Sequence, residues 1–253
     1  MGCFLTNTER DLEQLRQRMQ TAHGTASPMT APSLVQQLKD DIGNVSEFIF
    51  EVGLENLEAA SRACGFDEIN SVFLQFEDAV EDRTMTKTDA AKECNSIASD
   101  ATKAAKVKGA TGSNTSPLYQ LGAYDVGSNE WRGARFELRF AALRSHEIEE
   151  VDCPNYVDAR LKDGTYCELK SFTQFGGTQR DNILSQVKKD IDPRDRGIGN
   201  LKIVLDGTYA TPSQAFLEQL QQNADALKVE VNNPNAVISC EVIARDGSTI
   251  RAF

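Results

Sequence analysis

Residues 156–171 of this chain read YVDARLKDGTYCELKS. Apolar and polar residues alternate on both sides of the central Lys-Asp-Gly, and this pattern predicts a β-hairpin. Asp158 on the first strand, and Glu168 and Lys170 on the second, occupy polar positions of the alternation. The apolar positions are Val157, Ala159, Leu161, Cys167 and Leu169. The hairpin therefore predicts one apolar face and one face that carries two acids and a lysine.

The length of the turn determines which residues face each other across this hairpin. A two-residue turn would pair Asp158 with Leu169 and send the two apolar faces to opposite sides of the sheet. A three-residue loop at residues 162–164 pairs Asp158 with Glu168 instead, and the apolar faces then coincide. Such a loop needs a left-handed residue at its third position, where Gly164 stands. The sequence therefore predicts two carboxylates side by side.

Two carboxylates that face each other across a sheet repel each other unless a cation lies between them. Mg²⁺ and Mn²⁺ prefer oxygen ligands, and Mg²⁺ is usually held by a few carboxylates together with water and phosphate. A lysine beside such a site can neutralise charge on a phosphate or orient the attacking water. The alternative is a pair of solvated acids on an exposed hairpin, neutralised by Arg160 and Lys170.

A third acid, Glu137, lies on a predicted helix at about residues 129–145. Its neighbours one turn away form a small and mostly apolar face that consists of Ala134, Phe140 and Ala141. This face is typical of a helix side that packs on the protein, so we expect Glu137 to point inward. The alternative is an ion pair between Glu137 and one of the nearby arginines, Arg135, Arg139 or Arg144.

The order of a helical Glu137, a strand Asp158 and a strand Glu168-x-Lys170 resembles the PD-(D/E)xK nuclease superfamily. The resemblance covers about residues 125–205. The proline that often precedes the aspartate in this family is absent, and Val157 stands in its place. The resemblance implies a restriction-endonuclease-like mixed sheet flanked by helices and a magnesium-dependent endonuclease activity.

The resemblance also implies a role for each matching residue. Asp158 and Glu168 would bind Mg²⁺ or Mn²⁺, and Glu137 would complete the metal site. Lys170 would assist the attacking water. Some members of the family use a glutamine on the next helix, and Gln186 is the weaker candidate for that position. These five residues are the candidate catalytic set.

The chain changes character at about residue 108. Residues 1–107 carry apolar residues at helical spacing and predict a separate all-α domain for delivery or interaction, in which residues 88–106 form an exposed helix. Residues 108–117, KGATGSNTSP, predict a linker. Residues 118–253 alternate between helix and strand patterns, which predicts an α/β (α+β) nuclease domain. Its predicted elements are helices at about 129–145, 180–190 and 212–226, and strands near 156–162, 166–172, 201–206 and 237–244.

Composition excludes some classes of site. The six cysteines are scattered without a CxxC pair and only two histidines are present, so we expect reduced thiols and no zinc cluster. No apolar run reaches the ~18 residues of a membrane span. The net charge of −11 is unusual for a nucleic-acid enzyme, because such proteins usually carry a basic face. Three of the acids are the proposed metal ligands, which a bound cation would offset.

The succession of a helical module, a Gly/Ser-rich linker and a small C-terminal nuclease is similar to the toxic regions of bacterial contact-dependent growth inhibition and related interbacterial effectors. This likeness implies a toxin that is delivered from a producing cell and cleaves DNA, or tRNA, in the cytoplasm of a target bacterium. It also implies an immunity protein as a partner, because a free nuclease would kill its producer. No Val-Glu-Asn-Asn boundary motif is present.

Two other interpretations remain open. The chain is acidic and rich in helices, which also suits a non-catalytic immunity or interaction protein with a nuclease-like fold. An intact Glu168-x-Lys170 with both upstream acids favours the enzyme. A restriction or repair nuclease would use the helical half to bind DNA, but residues 1–117 contain 11 basic and 18 acidic residues, which argues against that role.

Overall fold

The computed structural model describes residues 31–65, 70–151 and 157–253. The chain divides into two compact units, and the second runs from Ile49 to Phe253. The helices of the described residues are α1 (Ala31–Ala63), α2 (Asn70–Glu81), α3 (Lys87–Ala104), α4 (Pro117–Ala123), α5 (Asn129–Leu143), α6 (Gly177–Ile191) and α7 (Gln214–Glu230). The strands are β1 (Ile148–Val151), β2 (Ala159–Leu161), β3 (Tyr166–Ser171), β4 (Asn200–Gly207), β5 (Val237–Ala244) and β6 (Thr249–Arg251).

The six strands form one mixed sheet in the order β1-β2-β3-β4-β5-β6. The pairs β1–β2, β2–β3 and β5–β6 are antiparallel, whereas β3–β4 and β4–β5 are parallel. Parallel neighbours need a crossover, and α6 and α7 supply the two crossovers here. The predicted mixed α/β class is confirmed. Strands β1 and β6 and the short helix α4 were not predicted, because four, three and seven residues are too few to give a clear periodic pattern.

Helices cover both faces of the sheet. One core cluster joins α3 and α5 to Leu169 of β3 and Val204 of β4. The second cluster joins α6 and α7 to Ile203 and Leu205 of β4. Successive residues of β4 thus enter opposite cores, as expected for a strand that is buried on both sides. The side chains of Glu168 and Lys170 alternate with Leu169 and therefore lie on the face covered by α6 and α7.

The predicted three-residue hairpin loop is confirmed. Leu161 N donates to Thr165 O at 2.8 Å, and Gly164 N donates to Leu161 O at 3.0 Å. Gly164 has φ of +85°, the left-handed conformation that glycine adopts without strain. Ala159 lies opposite Cys167, and the same register, continued by one residue, brings Asp158 opposite Glu168.

The start of the first hairpin strand differs from the prediction. Strand β2 begins at Ala159, and Val157 packs in the core on the other face of the sheet from Ala159 and Leu161. The reason is Asp158, whose Oδ2 accepts a hydrogen bond from Leu169 N at 2.6 Å. The carboxylate thus replaces the backbone partner that a longer β2 would supply to β3, and the chain is free to turn. Tyr156, the first residue of the predicted strand at 156–162, lies outside the described residues.

Helix α3 is not the exposed helix that its Ala, Lys, Asp and Ser content predicts. It packs against α5, and a stripe at helical spacing is buried: Ala90, Ala91, Cys94, Ile97, Ala98, Ala101 and Ala104. Thr86 caps its N-terminus by accepting a hydrogen bond from Asp89 N. Alanine has a weak hydrophobic signal in a sequence, yet its small side chain lets two helices approach closely, which is why the composition was misleading.

The segment predicted as a linker lies against β1. Val151 N donates to Lys108 O at 2.9 Å, and Lys108 Nζ lies 2.6 Å from Glu150 Oε1. Gly109 has φ of +82°, and a Cβ at this position would lie 2.2 Å from Val151 O. The backbone therefore approaches too closely for any other residue. The division into domains at residues 108–117 stays a prediction, and these contacts cross it.

The two possible domain boundaries predict different results for truncated chains. We expect residues 49–253 to unfold in one cooperative transition, because they form one compact unit. We expect residues 118–253 to melt at a lower temperature or to aggregate, because the face of α5 that α3 covers becomes exposed. Circular dichroism melts of both fragments test this. Equal melting temperatures would instead establish residues 118–253 as an independent domain.

Candidate active site

The structure brings Asp158, Glu168 and Lys170 together. Lys170 Nζ donates a hydrogen bond to Glu168 Oε1 and lies 3.8 Å from Asp158 Oδ2. The ammonium group is therefore placed between two carboxylates that come from neighbouring strands. The hairpin loop sets the register of these strands, and the bond from Leu169 N fixes the Asp158 carboxylate.

Burial makes this cluster electrostatically unusual. Glu168 is only 3% exposed. Burial raises the pKa of Glu168 to about 7, and the negative charge of Asp158 contributes in the same direction against the effect of Lys170. Burial acts to lower the pKa of Lys170, but the charges of Asp158, Glu168 and Glu137 raise it above its ordinary value. Lys170 is thus a permanent cation next to a carboxyl group that titrates near neutrality.

Glu137 lies in the middle of α5 and is half-buried. Its negative charge raises the pKa of Lys170, so it acts on the same site. The three arginines considered as its alternative partners form ion pairs with other acids: Arg135 with Glu93 and Asp100, Arg139 with Asp206, and Arg144 with Glu147 and Glu241. Its role as a metal ligand stays a prediction.

Gln186 lies on α6 and donates from Nε2 to Asp190 Oδ1 at 3.1 Å. Asp190 is fully buried, and Arg196 Nη1 lies 2.6 Å from the same oxygen. The charge of Asp190 raises the pKa of Glu168, so this group also acts on the site. Asp190 was not among the candidates from the sequence. Asp190 could have been identified from its position four residues after Gln186, which places it on the helix face that carries the buried Ile183 and Val187.

A second polar network joins α5 to the sheet next to Lys170. Asp206, at the end of β4, is 2% exposed and accepts hydrogen bonds from Ser171 Oγ at 2.8 Å and from Thr208 N at 2.9 Å. Arg139 Nη1, on α5, lies 3.5 Å from Asp206 Oδ1 and donates a hydrogen bond to Thr208 Oγ1. These bonds hold the helix that carries Glu137 against the ends of β3 and β4. No local pattern in the sequence predicts this network.

The donor set is compatible with a magnesium ion. Within the described ranges, no three His, Cys, Asp or Glu side chains come together as a ready-made metal cluster. Mg²⁺ does not require one, because one or two carboxylates with waters and substrate phosphates commonly hold it. Asp158 and Glu168 supply two carboxylates, and burial of Glu168, together with the negative charge of Asp158, raises the pKa of Glu168. The single positive charge of Lys170 does not offset both effects, so these two acids fit an additional cation.

Comparisons with protein-family models, with curated proteins and with solved structures found no match to this chain. Among the helices of the described residues, none is both long and apolar enough to cross a membrane. The function must therefore be inferred from the geometry of the site and from the motif.

The raised pKa of Glu168 predicts how stability depends on pH when a chelator is present. Below pH ~4.5 this carboxyl group is neutral in both the folded and the unfolded chain. Between about 4.5 and 7 the unfolded chain ionises first, so the free energy of unfolding falls as the pH rises. At ~1.4 kcal/mol per pH unit, the loss amounts to about 3 kcal/mol. Denaturant unfolding from pH 4.5 to 8 should show this loss in the wild type and not in Glu168→Gln, and parallel curves would contradict it.

Proposed function

We propose that this chain is a magnesium-dependent nuclease that hydrolyses phosphodiester bonds of DNA or tRNA, with a restriction-endonuclease-like fold in its C-terminal part. One observation carries the proposal. Asp158, Glu168 and Lys170 meet on a hairpin whose register local turn chemistry determines. The mixed sheet with helices on both faces is the arrangement that the resemblance to PD-(D/E)xK nucleases implies.

The residues of the site suit the cleavage of a phosphodiester bond. Asp158 and Glu168 would hold Mg²⁺, which when bound neutralises phosphate charge and makes water a better nucleophile. Lys170 remains a cation, so its ammonium group can donate a hydrogen bond to a phosphate oxygen and stabilise the negative charge that develops there. Glu137 adds negative charge on the α5 side of the site, where it favours the binding of a cation.

We further propose that the nuclease acts as an interbacterial toxin. It would be delivered from a producing cell into the cytoplasm of a target bacterium, and an immunity protein would bind it in the producer. The support is the succession of a helical N-terminal part and a C-terminal site. Expression in a bacterial host tests this proposal, because the wild type should stop growth and Glu168→Gln should not. Equal growth of both would contradict the toxin role.

Cleavage by the purified full-length protein is the direct test of the nuclease. Plasmid DNA, genomic DNA and total tRNA should be incubated with Mg²⁺, Mn²⁺ or Ca²⁺, and with excess chelator. We expect cleavage of at least one substrate with Mg²⁺ and Mn²⁺, and little with Ca²⁺, because its larger and looser coordination positions the water poorly. Cleavage that persists unchanged in chelator would rule out the metal mechanism. No cleavage of any substrate would favour the non-catalytic immunity or interaction protein.

Glu137 provides a sharper test of the metal site. Divalent ions bind the folded site and not the unfolded chain, so they should raise the melting temperature. If Glu137 completes the site, Glu137→Gln reduces this increase and the cleavage rate together. Glu130, an exposed acid in the first turn of the same helix, supplies the matched control. We expect Glu130→Gln to keep both properties, and equal behaviour of the two variants would remove Glu137 from the site.

A further inference from the structure

The buried carboxylate of Asp190 lacks a full set of hydrogen bonds, so a contribution to the stability of the fold does not explain why an aspartate stands here. Its Oδ1 accepts hydrogen bonds from both Gln186 Nε2 and Arg196 Nη1. Its Oδ2 is buried, and no donor among the described residues reaches it. A buried carboxylate oxygen without a donor destabilises the folded chain, because the hydrogen bonds that it makes to water when unfolded are not replaced. An apolar residue at this position would avoid that cost, so the contact of Asp190 with Gln186 needs an explanation beyond packing.

The chemistry of a carboxylate determines the orientation of the glutamine. An ionised carboxylate only accepts hydrogen bonds, so the amide of Gln186 must turn its nitrogen toward Asp190. The carbonyl oxygen Oε1 then points away from Asp190. Burial raises the pKa of Asp190, whereas Arg196, whose Nη1 lies 2.6 Å from Oδ1, favours the ionised carboxylate and holds it in place. The orientation of the amide is therefore set by a charged pair and not by chance.

Helix α6, which carries Gln186 and Asp190, covers the face of the sheet on which the candidate site lies. Gln186 and Asp190 lie one turn apart on the helix whose buried residues Ile183 and Val187 cover one face of the sheet. Glu168 and Lys170 project from β3 toward that same face. The charge of Asp190 acts on both of them, which places the three groups within electrostatic reach of one another.

We propose that Asp190 is a positioning residue that, together with Arg196, holds the Gln186 amide with Oε1 facing the site formed by Asp158, Glu168 and Lys170. In this position Oε1 accepts a hydrogen bond from a water molecule or from the ammonium group at the site. A catalytic consequence of this orientation rests on the proposed nuclease function. The orientation itself does not, and it can be measured without cleavage.

Matched aspartate variants test the proposal in the full-length chain. Asp190→Asn keeps the shape of the side chain but lets it donate as well as accept, so the Gln186 amide is no longer held in one orientation. Asp192 provides the control, since it is also buried and also pairs with an arginine, Arg194, at 2.6 Å. We expect Asp190→Asn to lower kcat by about 10- to 100-fold with little change in KM. Asp192→Asn should stay within about twofold of the wild type.

A double-mutant cycle separates positioning from a general structural effect. If Asp190 acts through Gln186, then Gln186→Ala has the same loss of kcat, and adding Asp190→Asn to it lowers kcat no further. Additive losses would overturn the proposal. Full activity of Gln186→Ala would also overturn it, and this outcome can be read even if Asp190→Asn does not fold. Equal losses in Asp190→Asn and Asp192→Asn would show a structural effect only.

The side-chain amide signal of Gln186 in a ¹⁵N NMR spectrum gives a readout without catalysis. In the wild type and in Asp192→Asn, we expect the Nε2 protons of Gln186 to exchange slowly with solvent. In Asp190→Asn, we expect these protons to exchange fast, or the Gln186 signals to move toward those of a free amide. Titration with Mg²⁺ should shift the Gln186 signal in the wild type. If these results hold and no nucleic acid is cleaved, the proposed function fails and the positioning stands. A Gln186 signal that Asp190→Asn leaves unchanged would overturn the positioning.

Discussion

Lys170→Ala is expected to abolish magnesium-dependent cleavage, with a loss of about 10³-fold or more. Lys170 is the cation that lies against Glu168 and 3.8 Å from Asp158. Its removal takes away a cationic donor that this cluster offers to charge developing on a phosphate, and such donors contribute ~10²–10³-fold or more. Cleavage of the best substrate under single-turnover conditions measures the effect. An intact rate would exclude Lys170 from the reaction.

Lys202 is the matched control for this experiment. It lies on the neighbouring strand β4, its side chain has the same 25% exposure as that of Lys170, and it also contacts a buried acid, Glu241, at 3.5 Å. It projects from the opposite face of the sheet, because its neighbours Leu201 and Ile203 lie in the core beneath α6 and α7. We expect Lys202→Ala to cleave at about the wild-type rate. A large loss in both variants would point to damage to the sheet.

The loss of stability caused by Lys170→Ala should also depend on pH. Without the ammonium group, ionised Glu168 and Asp158 face each other with no cation between them. The variant should therefore lose more stability at pH 8 than at pH 5, where Glu168 is neutral. Mg²⁺ should recover part of this loss, because the ion replaces the missing positive charge. These melts distinguish a variant that folds and is inactive from one that does not fold.

The hairpin shows which structural features alternation and turn chemistry predict in this chain. Alternation and the need for a left-handed glycine at Gly164 predicted the loop, and the structure confirmed the register that brings Asp158 opposite Glu168. These features depend only on residues close in sequence. The same rules failed for Val157, because the Asp158 carboxylate takes the place of a backbone acceptor and lets the strand end.

Features that depend on residues far apart in the sequence could not be predicted from local patterns. The bond between Arg139 and Thr208 joins residues that are 69 positions apart, and no local pattern indicates it. Asp190 has a helical spacing to Gln186 that is visible in the sequence, but its complete burial and its effect on Glu168 appear only in the fold. The candidate set from the sequence therefore contained the groups that would carry the chemistry and missed the groups around them.

Arg135→Met is expected to have the largest effect on stability, a loss of about 3–5 kcal/mol in the free energy of unfolding. Arg135 of α5 is 7% exposed. Its three nitrogen atoms donate to Glu93 Oε1 at 2.5 Å, to Asp100 Oδ2 at 2.7 Å and to Ser96 Oγ at 2.7 Å, all on α3. Removal of the guanidinium group leaves two partly buried carboxylates without a cation. Urea unfolding of the full-length chain measures this loss.

The truncated chains show whether this network is what joins α3 to α5. In residues 49–253, Arg135→Met should lower the melting temperature, whereas Arg62→Met should change it little, because the Arg62–Glu58 pair is exposed. In residues 118–253 the partners on α3 are absent, so Arg135→Met should be neutral or stabilising, since it removes a charge from an apolar helix face. A destabilisation of the same size in both fragments would contradict the role of the network. A reversal between them would show that the helices before residue 108 are part of the structural unit that supports Glu137 on α5, with the candidate site beside it.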